Sequence, residues 1–327
     1  MEKKIKWGIL GAGSIAGKFA ADFTLVKQGE LYAVGSRRID AAQHLAAQYG
    51  IPKAYGSYSE LLTDAAVDVI YVATTHNFHF EQAMRCLQHN KQVLCEKPVT
   101  VNAFQLEQLI NEARKRGLFF MEAMWTPFLP AVLKAKQWVD EGKIGEVQLI
   151  QANFGQVGNQ DPAKRLLNPD LAGGALLDIG IYPLTIIELF AQSELESLDA
   201  KATFTETGVD ESVVAQLQYK NGVKGQMASH IRAQLLNDAF IYGTKGYIQI
   251  PLFWMSKQAV LRVSGATDEV FTDSTQTMGY NWETEAVNSD LLAGRTENAT
   301  MPLERSLKMM RLMDAIRKQI DLNYPFE

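Results

Sequence analysis

The chain has 327 residues, of which 47% are hydrophobic, and a formal net charge of −5 with a pI near 5.7. This length exceeds one ordinary domain and fits two, and the acidic balance argues against a nucleic-acid-binding protein, which normally carries a basic face. No apolar run approaches the roughly 18 residues of a membrane span, so we expect no membrane partner. The two cysteines, Cys86 and Cys95, lie in apolar segments and indicate reduced thiols in a cytoplasmic protein.

Strand and helix signals alternate along the first 122 residues. Strands separated by helices predict a parallel, doubly wound sheet, whose strands should be apolar throughout because helices cover both faces. We therefore predict an α/β domain over residues 1–122. The predicted strands are 5–10, 31–36, 67–73, 91–95 and 118–121, and the predicted helices are 15–27, 41–49, 80–89 and 104–116.

A glycine-rich turn follows the first predicted strand and reads G-x-G-x-x-A. Gly11 permits a tight turn, and Gly13 lets backbone N–H groups approach a pyrophosphate at the positive end of the next helix. The alternative is a tight turn without a ligand, but the strand-turn-helix setting favours a dinucleotide site. The predicted contacts in this turn are Gly11, Ala12, Gly13, Ser14 and Ile15.

The end of the second strand decides between NAD and NADP. An acidic residue there would bind the ribose 2′-hydroxyl, whereas this chain has Ser36, Arg37 and Arg38. Two guanidinium groups and a hydroxyl suit a 2′-phosphate, so we predict NADP. Asp40 is read as a residue that opens the following helix. The alternative is that both arginines are merely exposed.

Polar residues also follow the third buried strand, at the same edge of the sheet. We predict that Thr74, His76, Asn77 and His79 border the cofactor, with Asn77 as a helix cap. Metal binding by the two histidines is the alternative. Without a matched set of cysteines or carboxylates they make a poor zinc site, so we expect no metal.

The next strand ends in Glu96, Lys97 and Pro98. Its polarity changes within one residue, and proline stops the strand because it has no N–H to donate. Ligands bind at the carboxyl edge of open α/β sheets. The strand therefore delivers a carboxylate and an ammonium to the predicted cofactor crevice, although Lys97 could also be a surface lysine before a turn.

The pattern changes after Trp125, and residues 123–327 predict an α+β domain with a mainly antiparallel, open sheet. Such a sheet must hide its uncovered face, so we expect a homodimer or homotetramer through it. The predicted strands are 146–154, 197–205, 212–219, 223–232, 237–242, 246–250 and 258–263, and the predicted helices are 130–140, 179–190, 282–293 and 303–320.

The run G-G-A-L-L-D-I-G-I-Y at 173–182 carries a second candidate group. Asp178 and Tyr182 are four residues apart and share one face of a helix. Removing hydride from a secondary alcohol leaves a proton for an acid/base group, and an ammonium such as Lys97 would lower the tyrosine pKa from about 10. Read separately, Asp178 could be a helix cap and Tyr182 a core residue.

Together these motifs resemble the glucose-fructose oxidoreductase, inositol dehydrogenase and MocA (Gfo/Idh/MocA) family, and within it the dimeric dihydrodiol dehydrogenase branch. The resemblance spans nearly the whole chain. Besides the glycine turn and the run at 173–182, it rests on IPKAYGSYSEL at 51, VLCEKPV at 93, GLFFMEAMWTPF at 117, ETGVD at 206 and GTKG at 243.

The resemblance implies a Rossmann domain followed by a substrate-binding and oligomerisation domain. It implies that Tyr182 is the acid/base, that Lys97 contacts substrate and nicotinamide ribose, and that Glu96 lies next to the cofactor. It also implies a cis peptide before Pro98. The implied substrate-binding residues are Lys97, Trp125, Phe154, Asp178 and Tyr182, and the implied further cofactor contacts are His79, Glu96, Lys97, Trp125 and Arg165.

We therefore predict an NADP-dependent dehydrogenase that acts on a secondary alcohol of a sugar, cyclic polyol or trans-dihydrodiol. Pro127 and Phe128 depart from the arginine and phenylalanine typical of the branch, which leaves diol versus sugar open. The alternatives are a reductase of a sugar ketone, which would use the same residues, and a non-catalytic dinucleotide sensor, which could lose Lys97 or Tyr182 at little cost.

Overall fold

The computed structural model describes residues 4–327 and divides into two compact units. The first unit comprises the chain up to Trp125 together with Gln276–Lys308. The second comprises Thr126–Thr275 together with Met309–Glu327.

The first unit is built on a six-stranded parallel sheet with the strand order 3-2-1-4-5-6, which confirms the predicted doubly wound fold. The last three of these strands in chain order are almost entirely buried, as expected for a sheet covered on both faces. The strands are β1 (Ile5–Leu10), β2 (Gly29–Gly35), β3 (Lys53–Tyr55), β4 (Val69–Val72), β5 (Gln92–Glu96) and β6 (Phe120–Ala123), and the helices between them are α1 (Ser14–Asp22), α2 (Ile39–Tyr49), α3 (Tyr58–Thr63), α4 (His76–Gln88) and α5 (Ala103–Arg116).

Two short elements, β3 and α3, lie in a stretch for which the sequence predicted neither strand nor helix. Both are shorter than the window over which hydrophobic periodicity can be recognised. A local signal marks α3, because the Ser57 hydroxyl accepts from the Glu60 amide while the Glu60 carboxylate accepts from the Ser57 amide. This reciprocal capping box fixes the first turn of the helix.

Residues 276–308 belong to the first unit, whereas the sequence analysis assigned everything beyond residue 122 to the second domain. This segment carries helix α8 (Tyr280–Leu292), which packs against α1 and β1. The buried carboxylate of Asp22 accepts from the amides of Gly279 (2.8 Å) and Tyr280 (3.0 Å), and so caps α8. The contact joins residues more than 250 positions apart, which no local pattern reveals.

The second unit contains an eight-stranded sheet with the order 14-13-12-11-7-10-9-8. Strands β7 and β10 pair in parallel and the other neighbours are antiparallel, which confirms the mainly antiparallel prediction. The strands are β7 (Val147–Gly155), β8 (Leu195–Phe204), β9 (Asp210–Tyr219), β10 (Lys224–His230), β11 (Ala239–Gly243), β12 (Gly246–Ile250), β13 (Gln258–Val263) and β14 (Glu269–Thr272), and the helices are α6 (Pro130–Asp140), α7 (Ile181–Ala191) and part of α9 (Leu303–Ile320).

Helices cover one face of this sheet. Helix α7 packs against β7 and β10, and α6 packs against β12 and β13. Along β9 buried and exposed residues alternate, as in a strand with one uncovered side. The residues along the uncovered side are mostly glutamine and other polar types, but Val214 is 51% exposed.

One helical stretch, Pro169–Ala191, is long and apolar enough to cross a membrane by length and composition. Asp178 and Glu188 interrupt its apolar residues, so the stretch is not a continuous apolar run. Of its most apolar window, 83% is buried inside the protein, and a buried core helix passes the same test of composition.

Candidate active site

The glycine turn of the first unit has the geometry of a phosphate cradle. Gly11 has φ +109°, and a Cβ atom there would lie 2.8 Å from the Ala73 carbonyl oxygen, so only glycine fits. A Cβ atom at Gly13 would meet nothing within 4 Å. Helix α1 starts at Ser14 without a side-chain cap, so its first N–H groups border this open space. The turn therefore fits a dinucleotide pyrophosphate.

The end of β2 presents two exposed guanidinium groups beside that turn. Arg37 lies over the Phe78 ring, with 5.7 Å from the guanidinium carbon to the ring centroid. The Arg38 amide donates to the hydroxyl of the buried Ser36 (3.3 Å). A groove lined by Gly13, Lys18, Arg38, Asp40 and His44, among others, runs between α1 and α2. Its two cations suit an anionic group.

The segment after β4 differs from the prediction in the residue at which its helix begins and in the residue that precedes the helix. Helix α4 begins at His76, so Thr75 is the residue before the helix and Asn77 lies in the first turn instead of capping it. The Thr75 hydroxyl donates to the Asn77 side-chain oxygen (2.9 Å). His76 is buried and Thr74 is half-buried at this edge.

His79, which the sequence predicts to border the cofactor, is fully buried. Its ring nitrogens lie 2.7 Å from the Pro98 carbonyl oxygen and 3.0 Å from the Thr74 carbonyl oxygen. His79 therefore ties the turn after β5 to the turn after β4. Among residues 4–327 no group of three or more histidine, cysteine, aspartate or glutamate side chains could hold a metal ion.

Glu96, at the end of β5, is buried and hydrogen-bonded. The Tyr71 hydroxyl of β4 donates to its carboxylate. Burial raises the pKa of Glu96 to about 7, against the opposing effects of the Tyr71 hydrogen bond and the Lys97 ammonium. Burial also raises the pKa of Tyr71 well above its ordinary value, with a further contribution from the charge of Glu96. Glu96 is thus poised between charged and neutral forms near neutral pH.

Glu122 and Glu283 are two further buried carboxyl groups of this unit whose pKa is raised. Burial raises the pKa of Glu122 on β6, which accepts from the Val99 amide (3.0 Å). Burial raises the pKa of Glu283 on α8 still further, and the charge of Glu96 adds to the effect. Within the described residues neither oxygen of Glu283 has a hydrogen-bond partner. Half-buried Lys97 lowers the pKa of both Glu96 and Glu122, so its ammonium partly balances the cluster.

Lys97 and Trp125 occupy the turns after β5 and β6. The Lys97–Pro98 peptide bond is cis, which confirms that expectation. Trp125 is buried and stacks on Tyr280, with ring centroids 4.5 Å apart. Its indole N–H has no hydrogen-bond partner among the residues that the structure describes.

In the second unit, the segment that carries Asp178 and Tyr182 begins as a π-helix at Leu176–Gly180 and continues as α7. The sequence predicted a regular α-helix from 179 instead. A π-turn adds a residue to the turn and is common at functional sites. It cannot be recognised from a spacing of four, because that spacing is read on the assumption of an α-helix.

Asp178 and Tyr182 each have a defined neighbour within that unit. Arg165 donates to the Asp178 carboxylate at 3.0 Å, so the loop arginine predicted to reach cofactor phosphates pairs with an acid here. The Tyr182 ring is buried and meets the Phe154 ring edge-on at 5.5 Å. Phe154 in turn stacks on Trp254, with centroids 4.2 Å apart.

Tyr71, Glu122 and Glu283 were missed by the sequence analysis. Glu122 left a signal, because it is a lone acid within an apolar strand. Tyr71 reads as an ordinary strand aromatic. Glu283 reads as an acid in the first turn of a helix, where acids are favourable anyway, and only the packing of α8 shows that it is buried.

The chain matches two family models. Residues 5–124 match the oxidoreductase family with an NAD-binding Rossmann fold, and residues 132–249 match the GFO/IDH/MocA C-terminal domain. Among curated proteins, trans-1,2-dihydrobenzene-1,2-diol dehydrogenase from Xenopus tropicalis is 38% identical, covering 98% of this chain and 99% of the relative. The Bos taurus protein of that name is 36% identical, covering 98% of each chain.

Solved structures share the whole fold. KijD10, a 3-ketoreductase from Actinomadura kijaniata in complex with NADP, is 27% identical with a TM-score of 0.88, covering 97% of this chain and 98% of that one. Aldose-aldose oxidoreductase from Caulobacter crescentus has a TM-score of 0.89 over 98% of each chain. At 24% identity the latter shows the fold alone.

The raised pKa of Glu96 predicts a specific pH dependence of stability. Its value of about 7 against an ordinary 4.5 means that the folded state binds this proton more tightly. The contribution of Glu96 to the free energy of unfolding is therefore present at low pH and is lost as pH rises through 7. Relative to wild type, Glu96→Gln should gain about 2–3 kcal/mol between pH 5 and pH 8.

Urea denaturation at a series of pH values measures this difference. Glutamine keeps an oxygen that accepts from the Tyr71 hydroxyl, and any change in the strength of this hydrogen bond gives a pH-independent offset that does not affect the comparison. Glu81→Gln, on the exposed side of α4, is the control and should run parallel to wild type. A Glu96→Gln curve that also runs parallel to wild type would contradict the assignment.

Proposed function

The chain belongs to the Gfo/Idh/MocA oxidoreductase family, and on that premise we propose that it transfers hydride between NADP and a secondary alcohol of a sugar, cyclic polyol or trans-dihydrodiol. The observation that carries the proposal is Lys97, which follows the buried Glu96 at the carboxyl edge of the sheet whose glycine turn fits a pyrophosphate. The likeness to diol dehydrogenases over 98% of the chain supports it.

The preference for NADP is supported by the end of β2. Two exposed guanidinium groups and the Ser36 hydroxyl lie where an NAD enzyme needs a carboxylate. Arg37 stacks on Phe78 and is thereby held at this edge. Asp40 lies one helical turn further on, in the first turn of α2, where the helix N-terminus stabilises it.

The residues of the chain account for the proton that the reaction releases. When bound, the nicotinamide ring accepts the hydride. As the carbinol C–H bond breaks with both electrons, the hydroxyl O–H bond gives its proton to the phenolate form of Tyr182 and the carbonyl double bond forms. Lys97 holds the substrate oxygen with its ammonium. Asp178, which pairs with Arg165, accepts a hydrogen bond from a neighbouring substrate hydroxyl.

The reverse reaction, reduction of a sugar ketone, is a second candidate. It is favoured by the likeness to KijD10, a 3-ketoreductase that was solved with NADP. The same residues serve it, because Tyr182 would then donate the proton to the forming alkoxide. Pro127 and Phe128, which the sequence analysis singled out, are both buried in the turn before α6 and leave diol and sugar substrates equally possible.

The first test is a panel of pentoses, inositols and diols with NADP⁺, followed at the absorbance of the reduced nicotinamide. Lys97→Met and Tyr182→Phe should each lower kcat by about 100-fold or more, because Tyr182 accepts the proton and Lys97 holds the oxygen that loses it. The dissociation constant for NADP⁺ should change little in Tyr182→Phe. Lys115→Met, whose side chain is 76% exposed on α5, is the matched lysine control.

Near-normal turnover in Lys97→Met or Tyr182→Phe would refute the assigned roles. Tight NADP⁺ binding by the wild-type protein with no turnover of any substrate, ketoses included, would favour the non-catalytic sensor instead.

The second test addresses the cofactor. Arg37→Ala should raise KM for NADP⁺ by about 10–100-fold, the worth of a lost charge-assisted hydrogen bond to phosphate. KM for NAD⁺ should stay within about twofold, because NAD⁺ lacks the 2′-phosphate. Arg311→Ala on α9 is the control. Equal effects on both cofactors would show that Arg37 does not read the phosphate.

We also propose a cytoplasmic homodimer or homotetramer that forms through the uncovered face of the eight-stranded sheet. The interface is supported by Val214 and Phe240, which are apolar residues on that face. The cytoplasmic location is supported by Cys86 and Cys95, which are buried free thiols. Val214→Lys should shift the sedimentation coefficient towards that of a monomer, whereas Val157→Lys, at an exposed loop residue, should not. An unchanged coefficient in Val214→Lys would place the interface elsewhere.

A further inference from the structure

The segment 173–180, which leads into α7, carries Asp178 and ends two residues before Tyr182. Its first residues are two glycines, which leave the backbone many conformations. An acid/base group must be held to within about 0.5 Å of its working position. Other parts of the chain must therefore supply the rigidity that the local sequence lacks, and two side chains of the second unit do so.

Asp210, the first residue of β9, is fully buried against this segment. Its carboxylate accepts from the Leu176 amide at 2.6 Å and so caps the π-helix. Gly174 has φ +111°, and a Cβ atom there would lie only 2.0 Å from an Asp210 carboxylate oxygen. A side chain at position 174 would therefore clash with this carboxylate, and only glycine leaves room for it.

Tyr324 holds the carbonyl side of the same backbone. It is buried, and its hydroxyl donates to the Gly173 carbonyl oxygen at 2.8 Å. The Arg317 guanidinium lies over the Tyr324 ring at 4.7 Å. Arg317 also pairs with the Glu327 carboxylate, which accepts from the Tyr324 amide at 3.2 Å. We call Arg317, Tyr324 and Glu327 the tyrosine clamp.

A contribution to stability alone does not explain Asp210. Burial raises its pKa to about 7, so near neutral pH the folded state keeps a carboxyl group that resists ionisation. Apolar packing of similar volume is usually as stable as a buried charged group or more so. A buried carboxylate and a buried phenol that both bind one stretch of backbone fix its geometry instead.

We propose that Asp210 and the tyrosine clamp are positioning residues, which hold the backbone of 173–176 so that Asp178 and Tyr182 stand in their catalytic arrangement. This inference rests on the proposed function. Neither Asp210 nor Tyr324 touches the reacting atoms, and each acts through the backbone that it binds.

The test compares two buried tyrosines that contact the same helical segment at opposite ends. Tyr324→Phe removes the hydroxyl that binds Gly173. Tyr219→Phe is the matched control, because the fully buried Tyr219 donates from its hydroxyl to Glu188, near the far end of α7, at 2.6 Å. Both variants keep the ring and lose one hydrogen bond.

Tyr324→Phe should lower kcat about tenfold, as expected for a small misplacement of a catalytic group. KM for substrate and cofactor should stay within about twofold, because binding groups are retained. Amide hydrogen exchange should become faster at 174–176 in Tyr324→Phe, while Tyr219→Phe should leave both kcat and this exchange unchanged. Asp210→Asn, which keeps an acceptor oxygen, should retain more activity than Asp210→Ala.

Unchanged exchange at 174–176 in Tyr324→Phe would overturn the proposal, as would faster exchange with an unaltered kcat. An equal loss of kcat in Tyr219→Phe would also overturn it, because the effect would then be general to buried tyrosines. If the wild-type protein turns over no substrate, the proposed function fails while the exchange pattern still decides whether Tyr324 and Asp210 hold this backbone.

Discussion

The burial of ionisable groups at the carboxyl edge of the parallel sheet is the constraint on which the rest of the first unit depends. Burial raises the pKa of Glu96, Glu122 and Glu283, because a charged carboxylate loses its hydration there. The Lys97 ammonium opposes that effect at two of the three groups. The nearby carboxyl groups therefore favour a fixed position for the lysine ammonium. A side chain that acts on substrate needs such a fixed position.

In the second unit the constraint is backbone flexibility, because the segment that carries its candidate groups starts with two glycines. The backbone there is fixed by side chains from β9 and from residues beyond α9. Asp178 is further paired with Arg165, and the Tyr182 ring is packed against Phe154. Elements that are distant in sequence thus make this backbone rigid. A site that must act with sub-ångström accuracy usually requires such rigidity.

Local chemistry explains how much of this the sequence could predict. The alternation of strands and helices predicts the parallel sheet. The glycine turn and the abrupt change of polarity at Glu96 are local signals that predict two turns at its carboxyl edge. The capping role given to Asn77 failed because α4 starts two residues earlier than a cap at that position requires. The grouping of 276–308 with the first unit, the burial of Glu283 and the bonds of Asp210 and Tyr324 all join residues far apart in the chain, and no window of sequence contains them.

The most direct test of the account follows the transferred hydrogen itself. A substrate that carries deuterium on the carbinol carbon is incubated with NADP⁺ and the protein, and the reduced cofactor is examined by mass spectrometry. The account predicts one deuterium on the nicotinamide ring of each reduced cofactor molecule. Reduced cofactor without the label, or no reduced cofactor with any alcohol that binds, would contradict hydride transfer by this protein.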